Sequence, residues 1–398
     1  MRAATVMHRG AAVGRTDPRS PGSLTGSCDS SLHAKSNFAG VPWAQKRLQL
    51  TKAHEFATGR LVTVAVVDTG VDIQNPQLAQ VLDRAKRPAS FVAPDIDSVP
   101  PTRDCDGHGT FVAGIIAAQQ APGVSFIGVA PRARILPVRV TKGAAEGSAD
   151  DLAAGIDYAV EQGVDVINVS IVTGTANNKL RAAVANALQQ GVVVVTAAGN
   201  TGDQANDEVW PAGFADEKGF EGLIVVGATT ESGALATFST TSVPVSIAAP
   251  GEDIWSTAPI QGHQNDKGTS FAAPYVSGAA ALLLEAYDKK LTPVQVKRRL
   301  ELTADPPGRD VPDPGFGYGT VNPFEAVTAI LSDQQAAPRP AAHDGPAIKP
   351  LAVQEPADET TRQVAMGVAA GALLLALMTL GAVATYRRGR ARQWKPSD

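Results

Sequence analysis

The chain has 398 residues, 44% of them apolar and 19% charged, and a formal net charge of −4. That apolar fraction excludes global disorder, and the weakly acidic balance gives no case for a nucleic-acid partner. Two cysteines, Cys28 and Cys105, exclude a disulfide-dense scaffold and a four-thiolate zinc site but allow one bridge.

Residues 1–50 read as an extension with little periodicity. From 51 to 331, short apolar runs alternate with helical patterns. Buried strands are predicted at 61–67 (LVTVAVV), 134–140 (RILPVRV), 164–170 (VDVINVS), 192–198 (VVVVTAA), 223–228 (LIVVGA) and 246–249 (SIAA). These runs lack alternation, as expected of a parallel sheet covered on both faces. Ser148 and Asp151 open a helix that runs to Gln162 and stops at Gly163; Thr292, Pro293 and Gln295 open another. The alternation predicts a doubly wound α/β domain with a mostly parallel sheet and helices on both faces. In such a domain ligands sit at the carboxyl ends of the strands.

The chemistry-bearing segments fall at those ends. The first predicted strand runs into Asp68-Thr69-Gly70, and an acid there wants a hydrogen-bonded partner. Asp106-Gly107-His108-Gly109-Thr110 opens an apolar helix, with glycines that let backbone crowd the histidine ring. Gly268-Thr269-Ser270 opens another, which puts the serine N–H where a helix start favours an anion.

These segments resemble the subtilase family. Asp68-Thr69-Gly70 matches its aspartate motif, the run from His108 to Gly114 (HGTFVAG) its histidine motif, and that from Gly268 to Pro274 (GTSFAAP) its serine motif. The order Asp, His, Ser is that of subtilisin. Ala197-Ala198-Gly199-Asn200 matches the segment carrying the family's oxyanion-hole asparagine. The resemblance spans about residues 53–330. It implies a serine endopeptidase acting on polypeptides, with Asp68, His108 and Ser270 as triad and Asn200 as oxyanion donor; no cofactor is expected, and the family's calcium loops are not located in the residues.

It also implies a substrate-binding edge at Ser170, Ile171, Val172, Ala198 and Gly199, where an extended peptide pairs with the strand. The family's usual Leu-Gly-Gly after the serine is replaced by Ile171-Val172-Thr173, which predicts a narrower specificity pocket. Asn168-Val169-Ser170 is formally a glycosylation sequon, read as accidental on a buried strand. His54 is expected to start a surface helix, and His263, in the polar stretch QGHQNDK, to be a solvated loop residue. No histidine or carboxylate cluster has metal-ligand spacing.

The C-terminal end of the sequence carries its own signals. Residues 332–362 are a Pro/Ala-rich linker, and 364–386 contain no charge. As a helix that run would reach about 35 Å, enough to cross a bilayer core. Arg387, Arg388, Arg390, Arg392 and Lys395 follow it, so the positive-inside rule places the tail in the cytosol and the rest outside. The expected organisation is an extension (1–50), a peptidase domain (51–331), a linker (332–362), one C-terminal transmembrane helix (363–386) and a basic cytosolic tail (387–398). Residues 1–50 hold no apolar core of the roughly 7–15 residues a signal peptide needs. Either the start codon lies upstream, the reading favoured here, or the tail helix directs insertion.

Within the family the resemblance is strongest to the mycosins, membrane-anchored subtilases of type VII secretion systems. It rests on Val41-Pro42-Trp43-Ala44-Gln45, on Asp104-Cys105-Asp106, on the linker and on the anchor with its basic tail. It implies a secretion membrane complex as partner and an N-terminal extension tied to the core by a disulfide. Because an exported domain meets oxidising conditions, Cys28 and Cys105 are expected to pair, the alternative being two unrelated buried cysteines. Three roles stay open: a protease processing a few secreted proteins, a structural component whose proteolysis is dispensable, and a general wall-associated protease.

Overall fold

A computed structural model describes residues 28, 34–93, 98–143, 147–203, 208–331, 371, 375 and 377–390. The chain divides into two compact units, 1–341 and 342–398. In the first, helices α1 (Trp43–Arg47) and α2 (Leu50–Ala53) precede β1 (Thr63–Asp68) and a two-residue β2 (Ala89–Ser90). Then come α3 (His108–Ala117), β3 (Arg134–Arg139), α4 (Ala149–Glu161), β4 (Val166–Val169), α5 (Asn178–Gln189), β5 (Val193–Ala197), β6 (Ile224–Thr229) and β7 (Ile247–Pro250). A hairpin of β8 (Ile254–Thr257) and β9 (His263–Asp266) leads into α6 (Thr269–Ala286), α7 (Pro293–Leu302) and α8 (Pro323–Thr328).

The sheet is parallel throughout, in the order β2-β3-β1-β4-β5-β6-β7. Residues alternate between two cores. Val64, Val66, Val166, Val193, Val195, Ile224 and Val226 pack with α3 and α6. Their neighbours Ala65, Val67, Leu136, Val138, Ile167, Val169, Val194 and Val225 pack with α4 and α5. Both faces are covered, so the strands read as unbroken apolar runs. Strand order reverses at β1, and Asp68 closes β1 at its carboxyl end. This is the switch point at which open α/β sheets place ligands.

The caps legible in sequence hold their helices. Ser148 accepts the Asp151 N–H at the start of α4, and Thr292 with Gln295 forms a reciprocal capping box on α7. Residues before β1 belong to the core: Ala44, Leu48, Leu50 and Ala53 are buried with α3 and α6. His54 caps the end of α2 rather than starting a helix, half-buried, with Nε2 2.9 Å from the Val129 carbonyl oxygen.

Among the described residues no helix is long and apolar enough to cross a membrane. Residues 377–390 are helical, but much of the 364–386 run, the linker 332–362 and residues 391–398 lie outside the described residues.

Candidate active site

Asp68 is fully buried and badly placed for water, so its Oδ1 is satisfied by protein. It accepts the Thr69 N–H at 2.8 Å and the His108 Nδ1–H at 2.7 Å. That bond fixes the histidine tautomer, leaving Nε2 as the basic nitrogen. His108 is the first residue of α3, and Gly109 after it lies against Asp68. A Cβ at Gly109 would run into the Gly70 carbonyl and the Asp68 side chain, so only glycine lets the helix start come this close.

A second buried carboxylate organises this corner. Asp104 accepts four hydrogen bonds: Thr69 O–H (2.9 Å), Gly107 N–H (2.9 Å), Thr110 N–H (2.8 Å) and Thr110 O–H (2.7 Å). Thr69 Oγ1 also accepts the Gly109 N–H at 2.9 Å, so one hydroxyl joins the end of β1 to the start of α3. Burial pushes the Asp104 carboxyl above the usual range, and the donors from Gly107 and Thr110 oppose that shift. From the other side, Arg139, also fully buried, donates to the Thr69 carbonyl at 2.9 Å and the Val99 carbonyl at 3.1 Å.

Burial alone would lower the His108 pKa. The Asp68 charge and hydrogen bond, aided by Asp106 and Asp104, outweigh it and hold the imidazole above its ordinary value. The His108 ring centroid lies 5.0 Å from that of Phe271, which places it against the residue following Ser270.

Ser270 sits in the first turn of α6, 8% exposed. Asn200, exposed after the end of β5, is oriented through its carbonyl: Oδ1 accepts the Thr269 N–H at 2.8 Å and the Thr269 O–H at 3.0 Å. Its NH2 is left to point elsewhere. Gly268, at φ 155°, shows where. A Cβ there would lie 2.9 Å from Ser270 Oγ and 3.4 Å from Asn200 Nδ2, so nucleophile-type oxygen and amide donor flank one glycine. The pairs Asp68–His108 and Asn200–Ser270 thus lie at one end of the sheet, on segments from β1, α3, β5 and α6.

The model of the subtilase family (S8 peptidases) matches residues 59–319. The chain belongs to the subtilase family. It is 35% identical to Mycosin-1 of Mycobacterium tuberculosis, an alignment covering 90% of this chain and 87% of that protein. With Subtilisin Savinase of Lederbergia lenta it shares 36% identity over 72% of this chain and 98% of the relative. The crystal structure of MycP1 from the ESX-1 type VII secretion system superposes with a TM-score of 0.64. There the identity is 32%, covering 78% of this chain and 91% of that one.

Against this subtilase frame, the expected substrate edge divides. Ile171 and Ala198 are buried, and Val172 is half-buried between the two cores. Gly199 N–H donates to Thr269 Oγ1 at 3.1 Å. The Ser170 hydroxyl turns inward and donates to the Ser270 carbonyl at 2.7 Å.

The solvated reading of His263 is overturned. It is 3% exposed on β9, because residues of the N-terminal extension lie across it. Lys35 N–H donates to the Gln261 carbonyl and His263 N–H to the Ser36 carbonyl, adding a short strand-like edge to the hairpin. Cys28 is joined to Cys105, with Cα atoms 5.1 Å apart, three residues before His108. Sequence reading missed Thr69, Asp104, Arg139 and Thr269 as supports of the site. A signal existed only for Asp104 and the threonines, which stand inside the motifs.

Proposed function

We propose that this subtilase is a membrane-anchored endopeptidase of a type VII secretion system, in which Asp68, His108 and Ser270 cut secreted polypeptides. The observation that carries the proposal is the 2.7 Å bond from His108 Nδ1 to Asp68 at the sheet end that also holds Ser270 and Asn200. Neutral His108 takes the Ser270 proton at Nε2 as Oγ attacks the peptide carbonyl, then returns it to the leaving amine. Asp68 stabilises the imidazolium. The Asn200 NH2 and the Ser270 N–H receive the oxyanion, and water hydrolyses the acyl-enzyme by the same relay. No cofactor is needed.

An extended substrate pairs along residues 170–172 and 198–199, and Val172 limits the side chains accepted. The domain order is the extension, the peptidase domain, the linker 332–362, the anchor 363–386 and the tail 387–398, with the peptidase outside and the tail in the cytosol. Support for the secretion role is the likeness to Mycosin-1 over nine-tenths of the chain. Support for the anchor is the uncharged run 364–386 followed by five basic residues.

The test is labelling by an alkyl fluorophosphonate. Wild-type protein is expected to be labelled at Ser270, and Ser270→Ala to lose the label. A folded wild type that refuses the probe refutes the proposal.

A further inference from the structure

Helix α6 contains a proline at its sixth residue, Pro274. In an α-helix the carbonyl of residue 270 is due the N–H of residue 274, and proline has none. The carbonyl left without its helical partner is that of Ser270. It is satisfied from another element: the Ser170 hydroxyl, just past the end of β4, donates to it at 2.7 Å.

The donor is itself held. Ser170 Oγ accepts from Asn168 Nδ2 at 2.8 Å, and Asn168 Oδ1 accepts the Ser277 hydroxyl at 2.8 Å. Every group here is shielded: Asn168 and Ser277 are 0% exposed, Ser170 4% and Ser270 8%. Each hydroxyl has one proton, and the chain of donors runs in one direction along its final links, Asn168 to Ser170 to Ser270. Ser277 closes the circuit by returning to the same helix two turns on. A buried polar network of this kind is costly unless every member is satisfied, and then it specifies one geometry.

We infer that Asn168, Ser170 and Ser277 are positioning residues that replace the helical bond Pro274 removes. The inference rests on reading Ser270 as the nucleophile. The Ser170 bond fixes the peptide plane after Ser270, and so the Cα from which both the attacking Oγ and the oxyanion-binding N–H project. Small displacements of such groups cost rate steeply. Placing the hydrogen bond just after β4 also ties the nucleophile to the segment along which substrate is proposed to pair.

A substrate contact and a positioning role for Ser170 make different demands on a probe without a peptide. Ser170→Ala is expected to slow labelling by a small alkyl fluorophosphonate about tenfold or more, with peptide kcat falling alike and KM within about twofold. Pro274→Ala restores an N–H at residue 274. In the Ser170→Ala background it should recover part of the lost rate, so the double variant labels faster than the product of the two single losses predicts. A wild-type labelling rate in Ser170→Ala with only KM raised, or strictly multiplicative losses, would overturn the inference. If Ser170→Ala does not fold, Ser277→Ala decides: about threefold slower labelling is expected, and a wild-type rate refutes the relay. Wild-type protein that takes no label removes the nucleophile reading and the relay together. A labelled wild type with an unaffected Ser170→Ala removes the relay alone.

Discussion

His263 Nδ1 accepts the Phe38 N–H at 3.1 Å, while its Nε2–H donates to Gln77 Oε1 at 2.8 Å. One imidazole therefore clips the N-terminal extension to the hairpin that leads into α6, and it can do so only when neutral. Gln77 is committed in turn, its amide donating to the Gln119 and Phe126 carbonyls at 2.7 and 2.9 Å.

Burial lowers the His263 pKa from 6.5 to about 4. The unfolded chain binds a proton near 6.5 and the folded one does not, so stability conferred by the neutral ring is complete above 6.5 and declines as pH falls toward 4. Thermal denaturation across that window should show this slope, and His263→Asn should flatten it. An equal slope in both proteins rules the clip out as its source.

At His108 the pKa shift runs the other way, yet activity too is lost on the acid side. The His108 pKa is raised, and only the neutral ring accepts the Ser270 proton, so kcat/KM should fall as pH drops through a value above 6.5. Asp106 contributes charge to that shift, and its Oδ1 accepts the His108 N–H at 3.2 Å. Asp106→Asn keeps an oxygen there and removes the charge. Its acid limb should move to lower pH, which a kcat/KM profile reads directly; a limb that stays put removes Asp106 from the account.

Asn200→Ala should lower kcat by about 10²–10³ while leaving KM near its wild-type value, as expected for a donor used only by the oxyanion. Because Asn200 also receives two hydrogen bonds from Thr269, melting temperature has to be measured beside kinetics. A large rise in KM instead would make Asn200 a ground-state substrate contact.

Opening the Cys28–Cys105 bridge frees a segment separated by 77 residues in sequence. In the chain-entropy model closure of such a loop is worth about 4 kcal/mol. Cys28→Ser/Cys105→Ser should therefore melt well below the wild type under non-reducing conditions, and dithiothreitol should lower the wild type toward it. Identical melting of the two proteins would show that the extension is held without the bridge, by its hydrogen bonds and its buried residues.

Topology is tested on intact cells. Protease shaving should remove the catalytic domain and leave an epitope placed after Lys395 protected, as the positive-inside rule requires. The reverse pattern inverts the orientation.

The main sheet was legible in the sequence because its strands are buried on both faces and appear as apolar runs. The segments of Asp68, His108, Asn200 and Ser270, which the fold brings to one end of the sheet, were legible because their motifs are local. What escaped depends on distant chain. β2 has only two residues, and β9, wholly polar and half exposed, carries no apolar run. His263 reads as solvated within QGHQNDK because the residues that bury it are some 225 positions earlier. The inward bond of the Ser170 hydroxyl escaped because its partner, a carbonyl one hundred residues on, is orphaned by a proline that looks like part of a motif.

The sheet order has a consequence for when the protein can act. Asp68 leaves an interior strand early in the chain, whereas Ser270 arrives only after β4, β5, β6 and β7 have been laid down beside it. The stretch from 68 to 270 must be complete before base and nucleophile meet. A chain halted part-way through synthesis or threading has an acid–histidine pair with nothing to activate. On the proposed function, hydrolytic competence then reports that the chain through α6 is in place, so a molecule halted before Ser270 cannot cut its neighbours.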